Sequence, residues 1–145
     1  MNKSVGQVLE LFISKKDKPK RFSRTIIEVD SRGIIDDKFY AKEVERSILL
    51  TSTTSYELAL KNSIEMSYGV LGENILIDYN PYDLAIGSQI LIGVVVLEVT
   101  QNCTICNHLS RIDKMLPSLL KEDRGIFVKV VEDGFIEKGD KVYLL

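Results

Sequence analysis

The chain has 145 residues, of which 45% are hydrophobic and 28% are charged, and its formal net charge is −2. This balance is typical of a soluble globular protein, and the length suits one domain with its own core, so we expect a single domain over residues 1–145. The composition excludes disorder over most of the chain. The small net charge predicts neither nucleic acid nor an anionic membrane as a partner.

Positive charge is concentrated in the first third of the chain. Residues 1–46 contain 11 Lys and Arg against 8 Asp and Glu, whereas residues 47–145 contain 8 against 13. An anionic ligand is therefore expected to meet the first part of the chain. The segment 15–24, KKDKPKRFSR, is predicted to be an exposed basic loop that either keeps the protein soluble or docks a partner.

No segment indicates export or membrane insertion. The longest apolar run, Ile90–Leu97, is far shorter than the roughly 20 residues that span a bilayer, and no small-residue cleavage site follows the N-terminal residues. The chain has 2 cysteines, too few for a disulfide framework, which fits a reducing compartment. We therefore expect a cytoplasmic protein.

Short runs rich in Val and Ile, bounded by Gly, Asp or Asn, predict β-strands along most of the chain. The predicted strands are Val8–Ile13, Thr25–Val29, Ser47–Leu50, Ile75–Ile77, Gln89–Thr100, Ile126–Val131 and Lys141–Leu145. Residues 132–134 (EDG) and 138–140 (KGD) are predicted tight turns, because glycine adopts positive φ without steric cost.

Two segments have helical patterns. Residues 54–57, TSYE, fit a capping box in which Thr54 and Glu57 satisfy free N–H groups at the start of a helix. One face of this helix is predicted to be apolar and formed by Tyr56, Ala59, Leu60 and Ile64. The second helix is predicted over 108–120 and interrupted at Pro117. Many strands with two irregularly placed helices indicate a mainly β barrel rather than a parallel doubly wound sheet.

The run 101–108, QNCTICNH, is the strongest candidate for chemistry. A thiol there would follow a strand and precede a helix, whose N–H groups favour the thiolate. Cys103 and Cys106 also fit a simpler interpretation as small buried residues at a strand end. The C-x2-C pair with His108 could begin a zinc site, but no second Cys or His pair completes it. A thioredoxin-like dithiol would belong near the start of an α/β unit, which this chain lacks.

Two glycine-containing loops are further candidates for a ligand site. Residues 69–74, GVLGEN, have glycines spaced as in a turn that approaches a ligand, although a purely structural turn explains the pattern as well. Residues 33–39, GIIDDKF, form a second loop, which Arg46 follows. Lys and Arg side chains there could bind phosphate or could simply be solvated.

Six sequence motifs occur in a fixed order over almost the whole chain, from about Val5 to Leu145. They are GIIDDKF, RSILL, GENI, LAIGSQILIG, LEVTQ with a cysteine after it, and RGIFVKVVEDGFIEKGD. In this order they resemble the MOSC domain family, which is named after the C-terminal domain of molybdenum cofactor sulfurases. The resemblance implies a mainly β fold, a MOSC-type β-barrel with a few short helices.

The resemblance also implies a cofactor site. Cys106 matches the family's cysteine, which carries sulfur as a persulfide or ligates molybdenum, whereas Cys103 falls at a variable position. The residues implied to bind the molybdenum cofactor (molybdopterin) are Asp37, Lys38, Arg46, Gly72, Glu73, Asn74 and Arg124. The chain departs from the family at three positions, and the departures leave open which ligand the pocket accepts. They are Asp36 for glycine, Phe39 for histidine and Ile105 for proline.

The implied function is a molybdenum cofactor-binding or sulfur-carrier domain. The chain contains no pyridoxal phosphate-dependent desulfurase domain, so a cysteine desulfurase or a molybdenum enzyme is expected as its protein partner. Two alternatives stay open. One is a molybdenum-dependent reductase of N-hydroxylated compounds, and the other is a non-catalytic interaction module in which Cys106 is merely packed.

Overall fold

The computed structural model describes residues 3–18, 20–104 and 108–145. The strands are β1 (Gly6–Ser14), β2 (Arg21–Arg24), β3 (Ile26–Asp30), β4 (Gly33–Ile34), β5 (Ile48–Ser52), β6 (Ile75–Ile77), β7 (Gln89–Ile92), β8 (Val95–Asn102), β9 (Ile126–Glu132), β10 (Gly134–Glu137) and β11 (Lys141–Leu144). The helices are α1 (Thr53–Lys61), α2 (Leu109–Ile112) and α3 (Leu116–Leu119), and a 3-10 turn covers Val44–Arg46. Within the described ranges no helix is long and apolar enough to cross a membrane.

Seven strands close into a barrel in the order β11-β7-β8-β9-β5-β6-β1. The ring closes because Gly6 and Gln7 of β1 pair with β11, while the middle of β1 pairs with β6. Among the strands of the described ranges, only β5 and β6 are parallel neighbours, and their connection runs through α1, since parallel strands need a long crossover. The prediction of a mainly β barrel with a few short helices is confirmed.

Two apolar clusters stabilise this arrangement. Alternating Val, Ile and Leu side chains fill the barrel interior, among them Ile48 and Leu50 of β5 and Val128 of β9. The second cluster lies outside the barrel, where Leu76 of β6 packs with Ala59 and the short helices. The helices therefore cover one side of the barrel, over the outward faces of β5 and β6.

The edge that closes the barrel also explains β2. Along the edge of β1 that does not face β6, Gly6 and Gln7 pair with β11, whereas Leu11–Ser14 pair with β2. The prediction of a basic loop over residues 15–24 was therefore wrong in its second half, because Arg21–Arg24 forms a hairpin strand with β1. Strand β2 continues the sheet beyond the closed ring.

Other element boundaries also differ from the predictions. The single strand predicted over 89–100 is a hairpin of β7 and β8 that turns at Gly93 and Val94. The pattern hid this turn because both strands bury apolar residues against the core. The helix predicted over 108–120 is two four-residue helices separated at Asp113, which is extended. Pro117 lies in the first turn of α3, where its missing N–H costs nothing.

The start of α1 lies earlier than predicted. Ser52, at the end of β5, accepts a hydrogen bond from the Thr54 N–H and is the N-cap. The predicted capping box at 54–57 was therefore wrong, because an earlier hydroxyl already satisfies the helix start. Leu60 was predicted to share the apolar face with Ala59 but is 58% exposed, since it lies about 100° further around the helix than Ala59.

We expect Ser52→Ala to lower the free energy of unfolding by about 1 kcal/mol, the usual cost of losing an N-cap side chain. Thr54→Ala should cost less, because its hydroxyl only bonds the Ser52 side chain. Urea denaturation of both variants measures the difference. A larger loss for Thr54→Ala would show that the helix is capped at Thr54 after all.

Candidate functional site

The Gly72-Glu73-Asn74 turn ties two barrel strands together just before β6 begins. The Asn74 Oδ1 accepts a hydrogen bond from the Leu49 N–H at 2.9 Å, and its Nδ2 donates to the Phe12 carbonyl at 3.2 Å. The Asn74 main chain also bonds both of these residues. Asn74 is only 4% exposed, so its side chain extends the β-ladder between β1 and β5.

Glu73 is a fully buried carboxylate with two donors on one oxygen. Its Oε2 accepts from the Tyr56 hydroxyl at 2.6 Å and from the Gly69 N–H at 3.0 Å. The Arg21 Nη2 donates to the Glu73 carbonyl at 2.8 Å. Two buried atoms, the Glu73 Oε1 and the Arg21 Nε, have no hydrogen-bond partner within the described part of the chain.

The loop that contains Asp37 and Lys38 is bound to the end of β1. The Asp37 Oδ1 accepts from the Ser14 N–H at 2.7 Å, and the Lys38 N–H donates to the Ser14 carbonyl at 2.8 Å. Asp37 is buried, whereas the Lys38 side chain is exposed and lies over the Phe39 ring. Arg21 lies between the Asp37 and Glu73 carboxylates and also donates to the Ser14 hydroxyl.

Arg124 holds the other side of the same turn. Its Nε and Nη2 donate to the Leu71 carbonyl at 3.2 and 2.9 Å, and the side chain is only 6% exposed. Gly72 adopts φ +90°, and a Cβ there would lie 3.6 Å from the Arg124 Nη2. The positive φ explains the glycine, since an L side chain would strain this turn.

Arg46 is placed differently from the buried arginines. Its guanidinium lies over the Phe127 ring, 5.2 Å from the centroid, and its side chain is 37% exposed. Phe127 packs with Leu49 and Cys103 in a small outer cluster. The nearest acidic partner is Glu43 at 3.8 Å, an exposed pair of little energetic value. Arg46 is therefore a cation on an aromatic face at the end of β8.

The structure brings most of the predicted cofactor-binding residues into one connected region. Asp37, Glu73 and Asn74 are buried and bonded to main chain, while Lys38 and Arg46 present charge to solvent. The predicted working residue, Cys106, lies outside the described residues. The sequence interpretation missed several contributors, because each acts on partners distant in sequence. They are Ser14, Arg21, Tyr56 and Phe127.

The two other candidates of the cysteine run are described. Cys103 is 4% exposed, and its N–H bonds the Gly125 carbonyl, so for this cysteine the simple buried interpretation is confirmed. The His108 Nε2 lies 2.7 Å from the Val70 carbonyl, which links the start of α2 to the glycine loop. Among the described residues no group of three or more His, Cys, Asp and Glu could hold a metal ion.

Burial shifts the acid–base behaviour of this region. The pKa of Tyr56 is raised well above its usual range, first by burial and then by the neighbouring Glu73 carboxylate. Burial also raises the pKa of Tyr82, whose hydroxyl accepts from the Ser52 N–H. Burial lowers the pKa of Arg21, although the Asp37 and Glu73 carboxylates oppose that effect.

These features define a small closed β-barrel in which buried polar turns bond β1 and β5, and in which Arg46 lies half-exposed on the Phe127 ring. The fold is shared with the YUAD protein from Bacillus subtilis at a TM-score of 0.80 and 17% identity, covering 99% of this chain and 98% of that one. It is also shared with YiiM from Geobacillus stearothermophilus (TM-score 0.74, 15% identity, 97% and 75% covered). YiiM from Escherichia coli is similar at a TM-score of 0.71 and 13% identity, covering 96% of this chain and 69% of that one.

At these identities the structural matches show the fold alone, and no curated protein sequence matches the chain. The family model of the MOSC domain matches residues 36–143. The chain therefore belongs to the MOSC domain family, which is associated with molybdenum cofactor binding or sulfur transfer. The predicted family resemblance is confirmed.

The buried tyrosines predict alkaline instability. A tyrosine whose folded pKa lies above its unfolded value of about 10 stabilises the fold fully below that pH. Its contribution falls as pH rises further, by up to about 1.4 kcal/mol per unit, because only the unfolded chain ionises. We expect the free energy of unfolding to fall above pH 10, and to fall less steeply in Tyr56→Phe and Tyr82→Phe. Equal slopes in urea titrations of all three proteins would contradict this assignment.

Proposed function

We propose that this protein is a molybdenum cofactor-binding or sulfur-carrier domain in which Cys106 is the working thiol. The observation that supports it best is the position of Arg46, a half-exposed guanidinium on the Phe127 ring beside Cys103. Cys106 follows Cys103 by three residues in sequence. The family match over residues 36–143 agrees with this function.

The residues around Arg46 fit a phosphate-bearing cofactor. A guanidinium offers planar paired donors to phosphate, and its weak exposed pair with Glu43 is easily replaced. Lys38 adds a second exposed cation in the same connected region. A cysteine thiolate is the soft ligand that a molybdenum centre favours. When bound, the cofactor would supply a metal centre for oxygen, sulfur or electron transfer.

The buried members of the region have a supporting role in this proposal. The Asp37 Oδ1 and the Glu73 Oε2 accept hydrogen bonds from main-chain and tyrosine donors, so both carboxylates fix their loops in place. Arg124 holds the Leu71 carbonyl and thereby the turn at Gly72. Such packing keeps the loops in one position, which lowers the entropy lost on binding.

As a sulfur carrier, Cys106 would react by simple exchange. Its thiolate attacks the outer sulfur of a donor persulfide, the donor's S–S bond breaks, and the donor leaves as a thiolate. Cys106 then holds the sulfur as a persulfide; a thiolate of the acceptor attacks the outer sulfur, the Cys106 S–S bond breaks, and Cys106 leaves as a thiolate. The donor we propose is a cysteine desulfurase and the acceptor a molybdenum enzyme, in the cytoplasm, where thiols stay reduced.

Substitution of the two cysteines separates their roles. We expect Cys106→Ser to abolish bound sulfane sulfur or molybdenum, because serine is neither a soft ligand nor a persulfide carrier. Cys103→Ser should retain most of it, although burying a hydroxyl at this site costs some stability. Intact-protein mass spectrometry beside metal analysis of the purified proteins measures both forms at once.

The same measurement distinguishes the possible forms of the activity. Cyanide-releasable sulfur on the wild-type protein supports a carrier, and stoichiometric molybdenum with pterin supports stable cofactor binding. Equal retention of sulfur and molybdenum in Cys106→Ser and Cys103→Ser would contradict the proposal. Absence of both from a wild-type protein produced in molybdenum-replete cells together with a cysteine desulfurase would also contradict it.

Arg46 provides a test that does not depend on the thiol. We expect Arg46→Gln to lower the molybdenum content at limiting cofactor about tenfold, since losing a charge-assisted hydrogen bond costs roughly 1.5–3 kcal/mol. Arg32→Gln is the matched control, because Arg32 is exposed in the turn between β3 and β4 of the small β10-β3-β4 sheet. Equal losses in the two variants would remove Arg46 from the binding site.

A further inference from the structure

The outer edge of β2 has a defined hydrogen-bonding direction. In β1, the N–H and C=O of Phe12 both bond Asn74 on the β6 side. Main-chain groups alternate in direction along a strand, so Leu11 and Ile13 face β2. Their partners in β2 are Arg24 and Phe22, whose N–H and C=O groups therefore face β1.

The other two residues of β2 must then face away from the barrel. Arg21 and Ser23 pair opposite Ser14 and Phe12 in the alternate positions of the ladder. Ser23 is exposed, and no hydrogen bond within the described part of the chain reaches the outer side of its main chain. Strand β11 does not cover this edge, because it pairs with the opposite end of β1. A free donor and acceptor therefore point outward at Ser23.

The hairpin loop that leads into this free edge is rich in cations. Residues 15–24 contain six Lys and Arg and one acid, Asp17, in a chain whose net charge is −2. Lys16, Lys18 and Lys20 are exposed, and none of them forms an ion pair within 4 Å in the described ranges. By contrast, the Arg21 side chain is directed inward to Ser14 and Glu73. The edge thus combines unpaired main chain with unpaired positive charge.

We propose that β2 is a docking edge for an extended acidic segment of a partner protein, which adds to the sheet as a further strand beside Ser23. Strand addition uses main-chain hydrogen bonds for affinity and side-chain contacts for selectivity. Lysines on an edge repel a second copy of the same edge and attract an acidic strand. The outward donor and acceptor of Ser23 favour a peptide over a nucleic acid, whose phosphates would use the charge alone.

This docking edge lies next to the candidate site and does not depend on the proposed function. Arg21 connects the two, because its main chain belongs to β2 while its guanidinium contacts Ser14 and the Glu73 carbonyl. A strand bound at β2 would therefore lie against the hairpin that carries Arg21. Binding is measured on the whole protein without any cofactor or sulfur, so failure of one proposal leaves the other standing.

The test uses a fluorescein-labelled ten-residue peptide in which Glu alternates with Val and Thr. We expect saturable binding by fluorescence anisotropy, and affinity that falls with added salt, because exposed charges are screened. The same peptide with Lys in place of Glu should not bind. A third peptide, N-methylated at alternate residues, keeps the charge but cannot complete a ladder, and it should bind at least tenfold more weakly.

Ser23→Pro removes the outward N–H while leaving the bonds between β1 and β2 in place. Proline is tolerated on an edge strand where its missing N–H faces solvent. We expect at least tenfold weaker peptide binding with an unchanged thermal transition. If this variant unfolds, the N-methylated peptide decides the question on the wild-type protein. Equal affinity for the N-methylated and unmodified peptides would overturn strand addition.

Charge reversal tests the contribution of the exposed lysines to peptide binding. We expect the triple variant Lys16→Glu, Lys18→Glu and Lys20→Glu to lose binding, while Lys114→Glu with Lys121→Glu, on the helical side, retains it. Equal losses in the two variants would overturn the proposal in favour of unspecific attraction. An oligodeoxynucleotide that binds as tightly, regardless of Ser23→Pro, would indicate a nucleic-acid surface instead. A dimer in sedimentation that Ser23→Pro dissociates would identify a second copy as the occupant.

Discussion

The barrel is held at one point by a side chain that acts as main chain. Strand β6 lies between β1 and β5, but it begins only at Ile75. Asn74 fills the preceding position, and its amide bonds both neighbours as a ladder residue would. Buried main-chain groups must be paired, so any residue without an amide there would leave a donor and an acceptor unsatisfied. The positions of the glycine turn, Glu73 and Arg124 all depend on that pairing.

Charge is divided between two uses in this protein. Arg21 and Arg124 are directed inward, where Arg21 donates to the Glu73 carbonyl and Arg124 donates to the Leu71 carbonyl of the same turn. Arg46 lies on the outside of β9, on an aromatic ring, with only a weak exposed partner. Burying a cation is costly unless it is fully paired. An arginine kept half-exposed on the Phe127 ring is therefore available to an anion, whereas Arg21 and Arg124 stabilise the turn that contains Leu71 and Glu73.

The sequence predicted the strands that face the core but not the turns and edges between them. Short apolar runs bounded by turn residues located β5, β6 and β9 to within two residues, since these strands are buried. The turn at Gly93 was missed because apolar residues continue on both sides of it. Strand β2 was missed because its residues, RFSR, end a basic polar run with no apolar alternation. The family motifs located the glycine turn and Arg46. They could not separate buried from exposed arginines, because the carbonyl that Arg21 bonds lies 52 residues away.

Closure of the ring and the exposed edge have the same origin. Strand β1 is nine residues long, and its free edge is shared between β11 at one end and β2 at the other. A ring that closed along the whole of β1 would have no edge at all, as in a complete barrel. Because β11 pairs with only Gly6 and Gln7, the chain had to continue the sheet outward as β2, and the last strand of such an extension necessarily has unpaired groups. The exposed lysines of the loop before β2 disfavour pairing between two copies of this edge, and in the proposed docking they favour an acidic strand.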